Sequence, residues 1–361
     1  MESNRHDPSS TDLTPTPAEA HSPSLARRIF FGPFGLRAGW GILIYLLILF
    51  TIQRSVNAVH HHIVVSEKQA AAASGKPLPP APKPDPNAPQ PIAPLLIVEG
   101  ILAATVLLIS WLMAFIEHRR IGVFGFGGQH SLKYFLTGTL WGLLALSLLV
   151  AALHALHLLV FDAQVDHGPG ILGWGATLLF GFLLVGILEE SVFRGYLQFT
   201  LTRRFVGLGS LISPRHSRTI AFWIAAIITS AFFFIAHTTN SGENKMGLIS
   251  VFLAGMVFVI ALWRTGSLWW ALGFHMSWDW AQSFLYGVPD SGNLVQGRLF
   301  ATHPLGNPIL SGGTVGPEGS VLIIPILCLV IIVLLFTKRS PQPSLELSDP
   351  QSSMETTPVI A

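Results

Sequence analysis

Glu189, Glu190 and Arg194 sit in or at the edge of an otherwise apolar stretch, GFLLVGILEESVFRGYLQF over 181–199. An ionisable side chain at the centre of a bilayer costs at least ~2.5–3.5 kcal/mol, so each one needs a reason to be there. Glu190 and Arg194 are spaced i,i+4 and share a helix face, which predicts a neutralising ion pair. Glu189 projects about 100° away from its neighbour and has no local partner. A carboxylate in a dry cavity can act as a general base toward water. The competing reading of the three residues is a structural ion network at the membrane surface.

Two further segments carry candidates. His237 ends the Phe-rich run SAFFFIAHTTN, where a single histidine could simply be interfacial. His275 and Asp279, again i,i+4, face the same way in RTGSLWWALGFHMSWDWAQ. Such a pair can orient an imidazole, supply two metal ligands, or pack with an internal hydrogen bond. Brought to one interior point, Glu189, His237, His275 and Asp279 are the ingredients for activating water and stabilising an oxyanion.

Glu189-Glu190-x-x-x-Arg194, Phe233-x-x-x-His237 and His275-x-x-x-Asp279, with Arg264-Thr-Gly-Ser-Leu-Trp before the third, resemble the motifs of one family. It is the CAAX prenyl protease and bacteriocin-processing (CPBP, or ABI) family of intramembrane endopeptidases. The similarity covers roughly 170–290. It implies a helical membrane protein in which Glu189, assisted by His237, activates the attacking water. It also implies that His275 and Asp279 take the oxyanion side while Glu190 and Arg194 hold the site. Asp279 departs from the pattern, since the family often has Asn there. Asn can donate a hydrogen bond to an oxyanion, whereas an ionised Asp only accepts. Asp279 must then be protonated, orient His275, or bind metal. Glu189, His237, His275 and Asp279 suit Zn²⁺ by ligand type, which makes zinc a candidate cofactor. The zincin motif HExxH does not occur.

The elements that position these residues read as membrane spans. Of 361 residues, 50% are hydrophobic and 11% charged, and mean hydropathy is +0.56. Soluble domains carry about 25% charged residues, so an ordinary cytosolic enzyme is excluded. A net charge of +2 gives no field for a nucleic-acid partner. One cysteine, Cys328, excludes an internal disulfide or a thiolate cluster. Apolar runs at roughly 38–53, 95–116, 134–160, 171–199, 219–237, 247–263, 267–286 and 319–336 predict an all-α polytopic bundle of about eight transmembrane helices. The domain plan is a polar tail over 1–37, a first transmembrane helix over 38–53, a Pro-rich extracytoplasmic loop over 54–93, a bundle over 94–336 and a polar tail over 337–361. Both tails are expected to be disordered. Trp40 and Tyr45 suit an interface, and an aromatic belt accounts for most of Trp269, Trp270, Trp278 and Trp280. Gly138-x-x-x-Gly142 resembles a close-packing motif within the bundle.

Arg27, Arg28, Arg119, Arg120, Arg203, Arg204, Arg264 and Arg339 fall on the face shared with the N-terminus, which predicts both termini in the cytoplasm. Compact loops favour a bacterial inner membrane. Counting 1.5 Å per residue inward from the nearest basic residue, His275 lies about 16 Å deep, Glu189 about 21 Å and His237 about 28 Å. For the three to meet, either 205–218 and the start of the fifth span protrude from the membrane, or that helix is tilted or broken. The leading function is a membrane endopeptidase. Its partners would be lipid and a membrane-associated protein or peptide, either prenylated or a peptide precursor. The alternative is a secondary transporter or cation-coupled permease using the same buried groups.

Overall fold

A computed structural model describes residues 24–32, 35–73, 89–128, 130–165, 168, 170–240 and 244–337. The tail residues 1–23 and 338–361 and most of the Pro-rich stretch, 74–88, lie outside the described residues. The architecture is the expected polytopic helix bundle. Among the described residues, six helical stretches are long and apolar enough to cross a membrane: Ala38–Ile63, Ile92–Ile116, Ser131–Ala155, Gly170–Ile212, Pro214–His237 and Lys245–Thr265.

In chain order, α1 (Leu25–Phe30) leads into a two-stranded antiparallel ribbon of β1 (Phe31–Gly32) and β2 (Gly35–Leu36). These residues had been expected to form part of a polar tail. α2 (Ala38–Ala73) does not stop near residue 53 but runs through the first half of the expected loop. Its 54–73 stretch contains neither Pro nor Gly and ends in alanines, so nothing breaks the helix before Gly75. Tyr45 is fully buried, not interfacial, and stacks on Tyr196 with ring centroids 4.3 Å apart.

α3 (Ile92–Ile116) and α4 (Ser131–Ala155) follow, then β3 (Leu159–Gln164). α5 (Gly170–Glu190) continues through a π-helical turn at Ser191–Leu197 into α6 (Gln198–Ile212). α7 (Ser217–His237) is one unbroken helix, which removes the broken-helix alternative. α8 (Lys245–Thr265) and the short α9 (Trp269–Trp280) precede a second π turn, Ala281–Leu285. β4 (Phe300–Pro304) pairs antiparallel with β3, tying together loops that are far apart in sequence. α10 (Pro308–Ser311), a 3₁₀ turn at Pro317–Gly319 and α11 (Ile323–Phe336) are the last elements among the described residues.

α9 is the buried centre of the bundle, packed against α4, α5 and α8. Its contact with α4 depends on missing side chains. A Cβ at Gly138 would lie 2.1 Å from the Trp270 carbonyl oxygen, and one at Gly142 2.3 Å from that of Phe274. Gly138-x-x-x-Gly142 thus faces α9 within the chain. Trp270 and Trp278 belong to the core formed there by α4, α8, α9 and α11, so the aromatic-belt reading does not hold for them.

Candidate active site

α5, α7 and α9 bring all six candidate residues into one connected network. Glu189 and Glu190 occupy the last turn of α5, where the helix widens into the π turn; π turns of this kind recur at functional sites. Arg194, inside that turn, points back to Glu190 with Nη1 3.0 Å from Oε1, and both side chains are fully buried. The guanidinium lies 4.1 Å from the Phe233 ring centre and 5.0 Å from that of Phe258, so two further helices hold it by cation–π contact. A Cβ at Gly255 of α8 would come within 2.9 Å of Arg194 Nη2, so only glycine leaves this space.

The two adjacent glutamates were expected to point apart, and they approach opposite nitrogens of a single ring. His275 Nδ1 is 3.2 Å from Glu190 Oε1, and its Nε2 is 3.6 Å from Glu189 Oε2. Asp279 Oδ2 lies 3.5 Å from the same Nε2. On the other side, His237 Nε2 is 4.0 Å from Glu189 Oε1. His237 Nδ1 lies 2.8 Å from the Phe233 carbonyl oxygen, which can only accept. A proton therefore sits on Nδ1, and Nε2 is the ring atom that faces the carboxylate. Glu189 is thus flanked by two imidazoles whose far nitrogens are anchored, and its own Oε2 is buried without a hydrogen-bond partner.

Glu189, His237, His275 and Asp279 open on a cavity of about 290 Å³. By donor type, Glu189, His237 and His275 fit Zn²⁺. The Nδ1 contacts to Phe233 and Glu190 are the outer hydrogen bonds that zinc-ligating histidines make. A different group, Asp279, Asp290 and Glu318, has ligand atoms all within 4.8 Å of one another; it shares only Asp279 with the expected zinc set.

Several cavity-lining residues went unnoticed in the sequence. Glu99 of α3 lines the cavity with its Oε2 unpartnered, and the cost of an ionisable residue within a span would have flagged it. Asp290, Glu318 and Ser283 also line it, but Asp290 and Glu318 fall outside the apolar runs where that rule operates. His154 and His157, a conceivable second metal or proton pair, are exposed, and His154 Nδ1 is 3.1 Å from the Leu159 carbonyl oxygen.

A family described as type II CAAX prenyl endopeptidase, Rce1-like, matches residues 171–281. That segment holds all six residues of the network. No curated protein and no solved structure matches the chain. The three motifs, the helical membrane architecture and this match together support the CAAX prenyl protease (CPBP) family for residues 171–281.

Proposed function

We propose that the chain is an intramembrane endopeptidase that hydrolyses a peptide bond with water activated by Glu189 and His237. One observation carries this reading: Glu189 lies between two imidazoles whose Nδ1 atoms are already committed, to Phe233 and to Glu190. A water held between Glu189 and His237 Nε2 loses its proton to that pair as its oxygen attacks the scissile carbonyl. His275 faces the oxyanion that forms, and Asp279 orients its ring. Asp279 then does not need the donor that Asn would supply, because it acts through His275. Glu190, fixed by Arg194, holds the other side of the ring. Collapse of the tetrahedral species returns the proton to the leaving amine. Were Zn²⁺ held by Glu189, His237 and His275 instead, it would supply Lewis-acid polarisation of the carbonyl in place of that base pair.

The substrate is a membrane-associated peptide or protein, prenylated or a peptide precursor, which enters the cavity from the bilayer. The basic residues favour cytoplasmic termini, and a bacterial inner membrane is the proposed location. The test compares peptide termini in membranes carrying equal amounts of wild type or Glu189→Gln. Termini that appear only with the wild type support proteolysis. Identical profiles across several hosts would return the buried Glu and His residues to the transporter reading.

A further inference from the structure

The cavity that holds Glu189 and His275 extends to a second group of charges. Asp279 in α9, Asp290 in the loop after it and Glu318 in the 317–319 turn each bring a carboxylate oxygen within 4.8 Å of the others. With Glu99 and Glu189, five carboxylates line the cavity, and among the described residues no lysine or arginine does. Like charges this close repel strongly away from bulk water, and a bound proton or a cation among them relieves the repulsion.

Ser283 supplies an independent indication. It lies four residues beyond Asp279, lines the same cavity and is 1% exposed, yet its hydroxyl has no hydrogen-bond partner. Ser250, which lines the same cavity, does find a partner, the Glu318 carbonyl oxygen at 2.7 Å. A buried oxygen left unpaired in the wall of the cavity that holds the three carboxylates is suited to coordinating a metal. Glu318 is fixed for the same role: Oε1 accepts from Trp278 Nε1 at 2.9 Å, and Oε2 from the Ser291 backbone N–H at 3.3 Å.

We propose that Asp279, Asp290, Glu318 and the Ser283 hydroxyl bind a divalent cation of the calcium class, beside the glutamate–histidine site and sharing Asp279 with it. The donors are all oxygen, which selects a hard ion. Ca²⁺ binds oxygen at about 2.3–2.6 Å, so opposed ligands lie up to about 5 Å apart, whereas Mg²⁺ at about 2.0–2.1 Å draws them within about 4.2 Å. Ligand oxygens within 4.8 Å of one another fit inside the Ca²⁺ limit, and Mg²⁺ is more often held by one or two carboxylates and several waters than by a cage of protein oxygens. Bound there, the ion ties α9 to the loop after it and to the 317–319 turn.

The test uses full-length protein in detergent, stripped with a chelator and titrated with Tb³⁺ as a luminescent stand-in for Ca²⁺. The Trp278 indole, bonded to Glu318, serves as the antenna. Saturable luminescence from one ion per chain is expected, displaced by Ca²⁺ at lower concentrations than by Mg²⁺. Asp290→Asn and Glu318→Gln should weaken it by about ten-fold or more, while His237→Ala should bind as the wild type does. Unaltered binding in Asp290→Asn, or loss in His237→Ala, would overturn the assignment. So would the absence of a saturable signal. In case a variant misfolds, wild-type melting decides: Ca²⁺ should raise it more than Mg²⁺, and indifference to Ca²⁺ would refute the site. The proposal survives even if no peptidase activity is found, because neither measurement depends on it.

Discussion

Replacing Arg194 with Met tests whether the buried ion pair serves the fold, the site or both. The guanidinium is fully buried, with one carboxylate contact at 3.0 Å and aromatic faces on two sides. Met keeps much of the stem and removes the charge. Glu190 is then left fully buried with only His275 Nδ1 as a partner. Breaking one side of a buried pair costs about 3–5 kcal/mol. At about 2 °C per kcal/mol, melting in detergent should fall by roughly 6–10 °C. The informative variant is Glu190→Leu combined with Arg194→Met. Apolar replacement of a whole buried pair is often neutral. The double variant should therefore recover all but about 1–3 kcal/mol, the cost of leaving His275 Nδ1 unpaired. Its peptidase activity, read as the rate at which new termini appear at equal protein abundance, should stay low because the His275 ring has lost its anchor. A double variant that cleaves at the wild-type rate would refute Glu190 as a positioning residue. A single Arg194→Met variant melting within 2 °C of wild type would refute the energetic reasoning.

Three further outcomes follow from the same geometry. His237→Asn removes the Nε2 that faces Glu189 and should lower the cleavage rate by about 10²–10⁴-fold with melting unchanged; adding Glu189→Gln should cost little more, since the two act on one water. Gly138→Ala drives a methyl group to 2.1 Å from the Trp270 carbonyl oxygen and should destabilise by about 1–3 kcal/mol in a thermal melt. Gly39→Ala, with nothing within 4 Å, is the matched control and should leave the melt unchanged. Trp278→Phe removes the Nε1–H donor to Glu318 and should lower stability by about 2 kcal/mol, measured the same way.

What the sequence disclosed, and what it withheld, follows from how each feature is encoded. The pair Glu190–Arg194 was legible because i,i+4 spacing keeps two residues on one side of a helix, and the pair stands at 3.0 Å although a π turn lies between them. The spans of α3, α4, α5, α7 and α8 were legible from unbroken apolar length. The end of α2 was not, because 54–73 is polar enough to read as loop while lacking any residue that stops a helix. The meeting of His237 with Glu189 defeated a count of residues along straight spans. α6 and the start of α7 pack together beyond the π turn, so depth measured from Arg218 overstates how far His237 lies from the others. The carboxylates of Asp290 and Glu318 were invisible for another reason. They reach the cavity through irregular loops, whose path no periodicity encodes.

The two π turns show how a helix can carry this much charge. One begins directly after Glu190, the other two residues after Asp279. Each lies where an ionisable residue on one helix must meet partners on several others. An α-helix repeats its faces every 3.6 residues, so a carboxylate and the residue four places on are offset by about 40°. A π turn takes in an extra residue, which rotates everything downstream relative to everything upstream. That rotation lets Arg194 close on Glu190 while Tyr196, two residues later, still stacks on Tyr45 of α2. In α9 it lets Asp279 face His275 while Ser283 and Phe284 fill the space beside α5 and the cavity. Both departures from regular helix thus occur where the polar network and the apolar packing make different demands on the same segment. The widened turn is what allows both to be met.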